Sequence, residues 1–125
     1  MIGLTKGQII ELHMAIYERY GGDRGVLNEG MLDSALQAPF QTFGGEELIP
    51  ETKEKIVRLA FGLIKNHAFR DGNKRIGALV LITLLELNGY PVKATNAEFA
   101  DIIMGVAASE KNEEDLLNWV EAHHG

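Results

Sequence analysis

The chain has no cysteine among its 125 residues, which excludes a disulfide framework and a thiolate zinc site and suits a reducing compartment. Proline occurs three times and no tract is biased toward one residue type, so neither a repeat array nor a disordered chain is indicated. Long apolar runs are also missing. The longest, Ile76 to Leu85 broken by Thr83, is far shorter than the roughly 20 residues that cross a bilayer. The opening Met-Ile-Gly-Leu-Thr-Lys-Gly lacks the basic region and unbroken apolar stretch of a secretory signal, so a cytoplasmic protein without membrane contact is expected. Positive charge is in deficit: 12 Lys+Arg against 18 Asp+Glu leave a net charge of −6, which argues against direct nucleic-acid binding. A phosphate site on such a chain must be local.

What is present is enough for one core. At 46% hydrophobic residues, a single domain spanning 1–125 is expected. Ile9, Leu12, Ile16 and Tyr20 form a helical stripe behind a Thr5–Gln8 capping box, predicting a helix over 6–20 that Gly21-Gly22 stops. Asn28 caps a short second helix carrying Leu32, Ala35 and Leu36, which ends before Pro39. Phe40 to Leu48 has no helical period and a Gly-Gly turn, and reads as a loop or small hairpin. Helices follow over about 51–65 and from Ile76 to Leu87, the second apolar on nearly every side and therefore central. Thr95 and Glu98 form another capping box ahead of Phe99, Ile102, Ile103 and Val106, and Asn112 caps a last helix with Leu116, Leu117 and Val120. No alternating βαβ pattern occurs. The expected fold is all-α, about six helices around a central apolar helix, with one small non-helical flap.

Between two apolar helices lies a polar segment, His67-Ala68-Phe69-Arg70-Asp71-Gly72-Asn73-Lys74-Arg75. Core packing explains almost none of it. Gly72 permits a tight turn where a helix begins, and the first amides of that helix have no intrahelical acceptor. With the helix dipole, Lys74 and Arg75 could hold a phosphate there, Asp71 could hold Mg²⁺ against its oxygens, and His67 could accept a proton. Taken singly, each residue has a blander role: His67 on a helix-end carbonyl, Asp71 as a cap, Lys74 and Arg75 solvated. Taken together they point to phosphate chemistry.

At these residues the sequence resembles the Fic/Doc (Fido) superfamily, whose signature His-x-Phe-x-Asp-Gly-Asn-Lys-Arg matches. Arg19-Tyr20-Gly21-Gly22, the stretch Ala35 to Gly45 and Leu87-Asn88-Gly89-Tyr90 are similar to the death-on-curing (Doc) branch, toxins of bacterial and phage toxin–antitoxin pairs. The resemblance implies that His67 is the general base toward a Ser, Thr or Tyr hydroxyl of a host protein, Phe69 the buried anchor and Asp71 the Mg²⁺ ligand. Gly72, Asn73, Lys74 and Arg75 would bind the phosphates of ATP, and Phe40, Gln41, Thr42, Phe43, Gly44 and Gly45 would form the flap that aligns the target. A separate antitoxin and a target in the translation machinery are implied in the same way.

The motif is a hybrid. Fic adenylyltransferases prefer proline where Ala68 stands and often glycine where Lys74 stands, whereas Doc proteins commonly have alanine where Gly72 stands. By resemblance, Lys74 fills space otherwise used by nucleotide phosphates, reverses ATP and favours phosphorylation, while Gly72 keeps adenylylation open. A non-catalytic phosphate-binding module is the third possibility. The superfamily's inhibitory helix has Ser/Thr, three residues, Glu and then Gly or Asn; Ser109 to Glu113 has the spacing, but Glu114 follows, so this segment is expected to top the last helix. His13 is expected to be a half-buried, hydrogen-bonded histidine, Trp119 core or a helix-docking surface, and His123-His124 an isolated pair without a third metal ligand.

Overall fold

The computed structural model describes residues 1–123. Helix α1 spans Lys6–Tyr20, α2 Glu29–Gln37, α3 Thr52–Lys65, α4 Asn73–Leu87, α5 Asn96–Ala107 and α6 Glu113–His123. The fold is all-α. The sheet among the described residues is one antiparallel pair, β1 (Thr42–Phe43) against β2 (Glu46–Glu47), so the expected flap is a minimal hairpin. A single 3-10 turn, Ala38–Phe40, leads into it. Among the described residues, no helix is long and apolar enough to cross a membrane.

The helix starts follow local chemistry. Thr5 and Gln8 exchange hydrogen bonds of 3.1 and 2.8 Å at the head of α1, and Thr95 and Glu98 do the same at 3.1 and 3.0 Å ahead of α5. Asn28 accepts the Met31 N–H at 3.0 Å, and Asn112 and Asp115 cap each other's backbone at the start of α6. Each such cap satisfies amides that the helix leaves without a partner, at about 1 kcal/mol apiece.

The centre is the α3–α4 pair. Ile56, Leu59, Ala60, Leu63 and Ile64 of α3 meet Ile76, Val80, Leu81, Leu84 and Leu85 of α4, all buried. Gly77 lets the two backbones close, since a Cβ there would collide with Ile64 and come within 3.1 Å of the Ala60 carbonyl. α1 packs on α4, and α2, α5 and α6 pack on α3, adding Ile9, Leu32, Val106, Leu116 and Val120 to one core.

Two helix starts fall close to the sequence expectation. α3 begins at Thr52, with Glu51 as its N-cap residue, and α4 begins at Asn73, three residues before its apolar run. The expected turn at Gly72, with a φ of 73°, starts α4 inside the polar segment.

Candidate active site

α3 ends at Lys65 with Asn66 as its C-cap, and the next residue, His67, takes a left-handed backbone (φ 51°) that turns the chain out of the helix. Ala68 and Phe69 then pass through the core, buried, and run antiparallel to a strip after α1. The Leu27 and Asn28 N–H groups donate to the Ala68 carbonyl at 2.8 and 3.1 Å, and the Arg70 N–H donates to Gly25 at 3.1 Å. The Asn73 side-chain amide clasps Phe69 from below, its Oδ1 accepting the Phe69 N–H at 3.1 Å and its Nδ2 donating to the Phe69 carbonyl at 3.0 Å. The loop is thus held on one side by the segment after α1 and on the other by its own Asn73.

Asp71 does not cap α4. Its Oδ1 accepts the Gly72 N–H at 2.8 Å, and its carboxylate lies over Gly22, where a Cβ would strike Oδ2. The N-cap residue of α4 is Gly72, with no side-chain hydrogen bond and no acidic residue in the first turn. The backbone N–H groups of Asn73, Lys74 and Arg75 therefore have no acceptor among the described residues. Nor does His67 cover a helix-end carbonyl: its exposed ring has no hydrogen-bond partner among the described residues.

His67, Arg70, Asp71, Gly72, Asn73, Lys74 and Arg75 line one cleft of about 920 Å³. α5 lines it with Asn96 and the apolar Phe99, Ala100, Ile103, Met104 and Ala107. Arg70, Lys74 and Arg75 are exposed and make no salt bridge among the described residues, although the chain as a whole is acidic. Arg75 instead lies over the Tyr20 ring, its Cζ 4.2 Å from the centroid. A guanidinium stacked in this way keeps its N–H edges free for a phosphate.

Phe69 is buried at 1% exposure and stacked on the His13 ring, with centroids 3.9 Å apart. The residues Phe40, Gln41, Thr42, Phe43, Gly44 and Gly45 stand apart and do not line the cleft. Phe43 is 80% exposed at the hairpin, Gly44 and Gly45 both have positive φ, and the hairpin base is tied down by buried Lys55. The Lys55 ammonium donates to the Ile49 and Pro50 carbonyls at 2.6 and 3.1 Å and pairs with Glu47 at 3.3 Å.

Sequence reading missed Arg70, Tyr20, Gly22 and the α5 wall as parts of this site. Phe99 and Ile103 carried only a core signal. His13 was expected to be half-buried; it is buried, and its Nε2–H donates to the Asp71 carbonyl at 2.6 Å. Ser109 accepts a hydrogen bond from Lys65, and Glu113 pairs with Arg58 at 2.5 Å as the first residue of α6, so that segment tops the last helix as expected. Trp119 packs between Phe99 and His123. His123 meets Glu98 at 3.4 Å, His124 lies outside the described residues, and no metal-holding cluster of three occurs among those described.

A helical bundle that presents a free histidine beside an open helix N-terminus within the motif His67 to Arg75 defines a class, and the chain belongs to it: residues 3–85 match the Fic/DOC family. Among its relatives, the chain is 32% identical over 99 residues to Toxin Doc of Mycolicibacterium smegmatis, covering 78% of this chain and 76% of that one. It is 30% identical over 107 residues to Protein kinase doc of Escherichia phage P1, covering 86% and 83%.

Proposed function

We infer that this chain is a Doc-like toxin that transfers the γ-phosphate of ATP to a Ser, Thr or Tyr hydroxyl of a host protein. One observation carries the reading: a histidine without a hydrogen-bond partner, a carboxylate, and three cations without acidic partners among the described residues converge on one uncapped helix end. The names of the two relatives, a toxin and a protein kinase, support the same reading. The hybrid motif leaves adenylylation as the alternative, and the test separates the two.

The donor set fits a metal-bound polyphosphate. Asp71 keeps Oδ2 free of any hydrogen bond among the described residues, and the amides of Asn73, Lys74 and Arg75 offer an anion cradle that is neutral apart from the two adjacent cations. Mg²⁺ held by Asp71 would neutralise phosphate charge as the transfer proceeds. His67 takes the proton from the target hydroxyl as its oxygen forms the bond to the γ-phosphorus and the bond to the ADP oxygen breaks. Arg70, Lys74 and Arg75 hold the phosphates in line, so catalysis is mainly positioning and electrostatics. The hairpin at Phe43 lies outside the cleft and offers an edge to the target chain. The target belongs to the translation machinery and the inhibitor is a separate antitoxin, both in the cytoplasm.

The test is incubation of the protein with Mg²⁺, ATP labelled at the α- or γ-phosphate, and bacterial lysate, followed by intact-mass analysis of the labelled protein. Label from the γ position and the mass of one phosphate are expected. The mass of an adenylate would move the chain to adenylyl transfer, and ATP binding without any labelled protein would leave a phosphate-binding module.

A further inference from the structure

Among the described residues, His13 and Lys55 are the buried polar side chains of the core, and of the two Lys55 has an evident duty, at the base of the hairpin. An imidazole in the apolar stripe of a helix costs desolvation that a leucine would not. The hydrogen bond of His13 leaves its own helix and reaches the Asp71 carbonyl, 58 residues away, at 2.6 Å. A carbonyl only accepts, so Nε2 carries the proton. The ring also lies flat on Phe69, 13° from parallel.

The same face of α1 meets the loop twice more. A Cβ on Gly72 would sit 3.4 Å from His13 Nε2 and 3.6 Å from Ile16 Cγ2, and Tyr20 lies beneath Arg75. His13, Ile16 and Tyr20 are spaced three and four apart, as one helix face requires. The Asp71 carbonyl belongs to the peptide unit that joins Asp71 to Gly72. Rotating that unit would swing the carboxylate on one side and the start of α4 on the other.

We propose that His13 is a positioning residue. By holding the Asp71 carbonyl through Nε2–H, it fixes the peptide plane between Asp71 and Gly72, and so aims the Asp71 carboxylate and the first free amides of α4 at one metal-bound phosphate. This rests on the Mg²⁺·ATP reading above. Outer contacts of this kind are worth about 10- to 100-fold in ligand affinity when removed.

Ring and donor can be separated. His13→Phe keeps the stack on Phe69 and loses the donor; His13→Gln keeps an N–H at similar reach and loses the ring. Mg²⁺·ATP affinity, measured by calorimetry beside thermal melts, is expected to fall about 10-fold or more in the Phe variant. The Gln variant should recover most of that loss, even where its melting temperature is the lower of the two. A purely structural role predicts the opposite order, with affinity following stability. Equal affinity in the Phe variant and the parent, or recovery by Phe and not by Gln, overturns the proposal. Failure of the functional reading looks different: the parent itself would bind no Mg²⁺·ATP, although the His13 imidazole proton would still appear as a slowly exchanging NMR signal. In that case the positioning role falls with the site it serves.

Discussion

At the N-terminus of α5, Thr95 and Glu98 satisfy each other's backbone amides and an acid stands in the first turn, whereas at the N-terminus of α4 Gly72 offers no side chain and the first turn carries Lys74 and Arg75. The first arrangement agrees with the helix dipole and the second opposes it. Both helices pack on the same core, and both starts are exposed to water. The proposed function accounts for the difference: a capped end is finished, and an open one retains donors and positive potential that would suit an anion. Stability is conceded at α4 and recovered from burial of Ile76, Val80, Leu81, Leu84 and Leu85.

The contrast can be attacked from either end. His67→Ala removes the imidazole proposed as the base beside the open end. Phosphate transfer should fall by roughly 100- to 10,000-fold, with ATP binding and the thermal melt preserved; an undiminished rate would remove His67 from its role. Lys74→Gly, which leaves the same end open but takes away the side chain, should abolish γ-phosphate transfer and yield adenylylated product by mass. Persistent γ-transfer at a reduced rate would make Lys74 a phosphate ligand rather than a steering group.

At the closed end the readout is stability. Thr95→Ala should cost about 1 kcal/mol in urea denaturation and leave nucleotide affinity untouched. Lys74→Glu reverses that pattern: an acid in the first turn of α4 should add about 0.3–1 kcal/mol of stability while weakening Mg²⁺·ATP binding. The smallest effect is on pH. The Thr95 N–H, followed by the Thr95 hydroxyl interaction, holds the Glu98 carboxyl below its ordinary range. A lowered folded value means a contribution present above the unfolded value and lost as pH falls through the folded one. Between neutral and strongly acidic pH the parent should therefore lose slightly more stability than Glu98→Gln, by the shift in urea midpoint.

Whatever depends on neighbours in the chain could be read directly. The capping boxes at Thr5 and Thr95, the caps at Asn28 and Asn112, the stop at Gly21 and the glycine turn of the hairpin all involve residues within a few positions of each other. The motif His67 to Arg75 was visible for the same reason. What escaped is tertiary. The contacts of His13 with Asp71 and of Arg58 with Glu113 span 58 and 55 residues, and a stripe on α5 that serves as core and cleft wall at once has the same period in either role. The start of α4 is signalled by the turn at Gly72 rather than by hydrophobicity, which begins only at Ile76.

The left-handed backbone at His67 sets a direction for loss of function. A branched or bulky side chain held at positive φ is strained by about 1–2 kcal/mol, and glycine is not. The chain leaves α3 in a conformation that glycine would adopt more readily, yet it holds there the imidazole assigned to proton transfer. Cells escaping such a toxin through His67→Gly would then carry an inactive protein that is harder to unfold than the active one. In a screen of survivors, heat resistance of the inactivated protein would mark the lesion at this residue and distinguish it from core mutations that disarm the toxin by unfolding it.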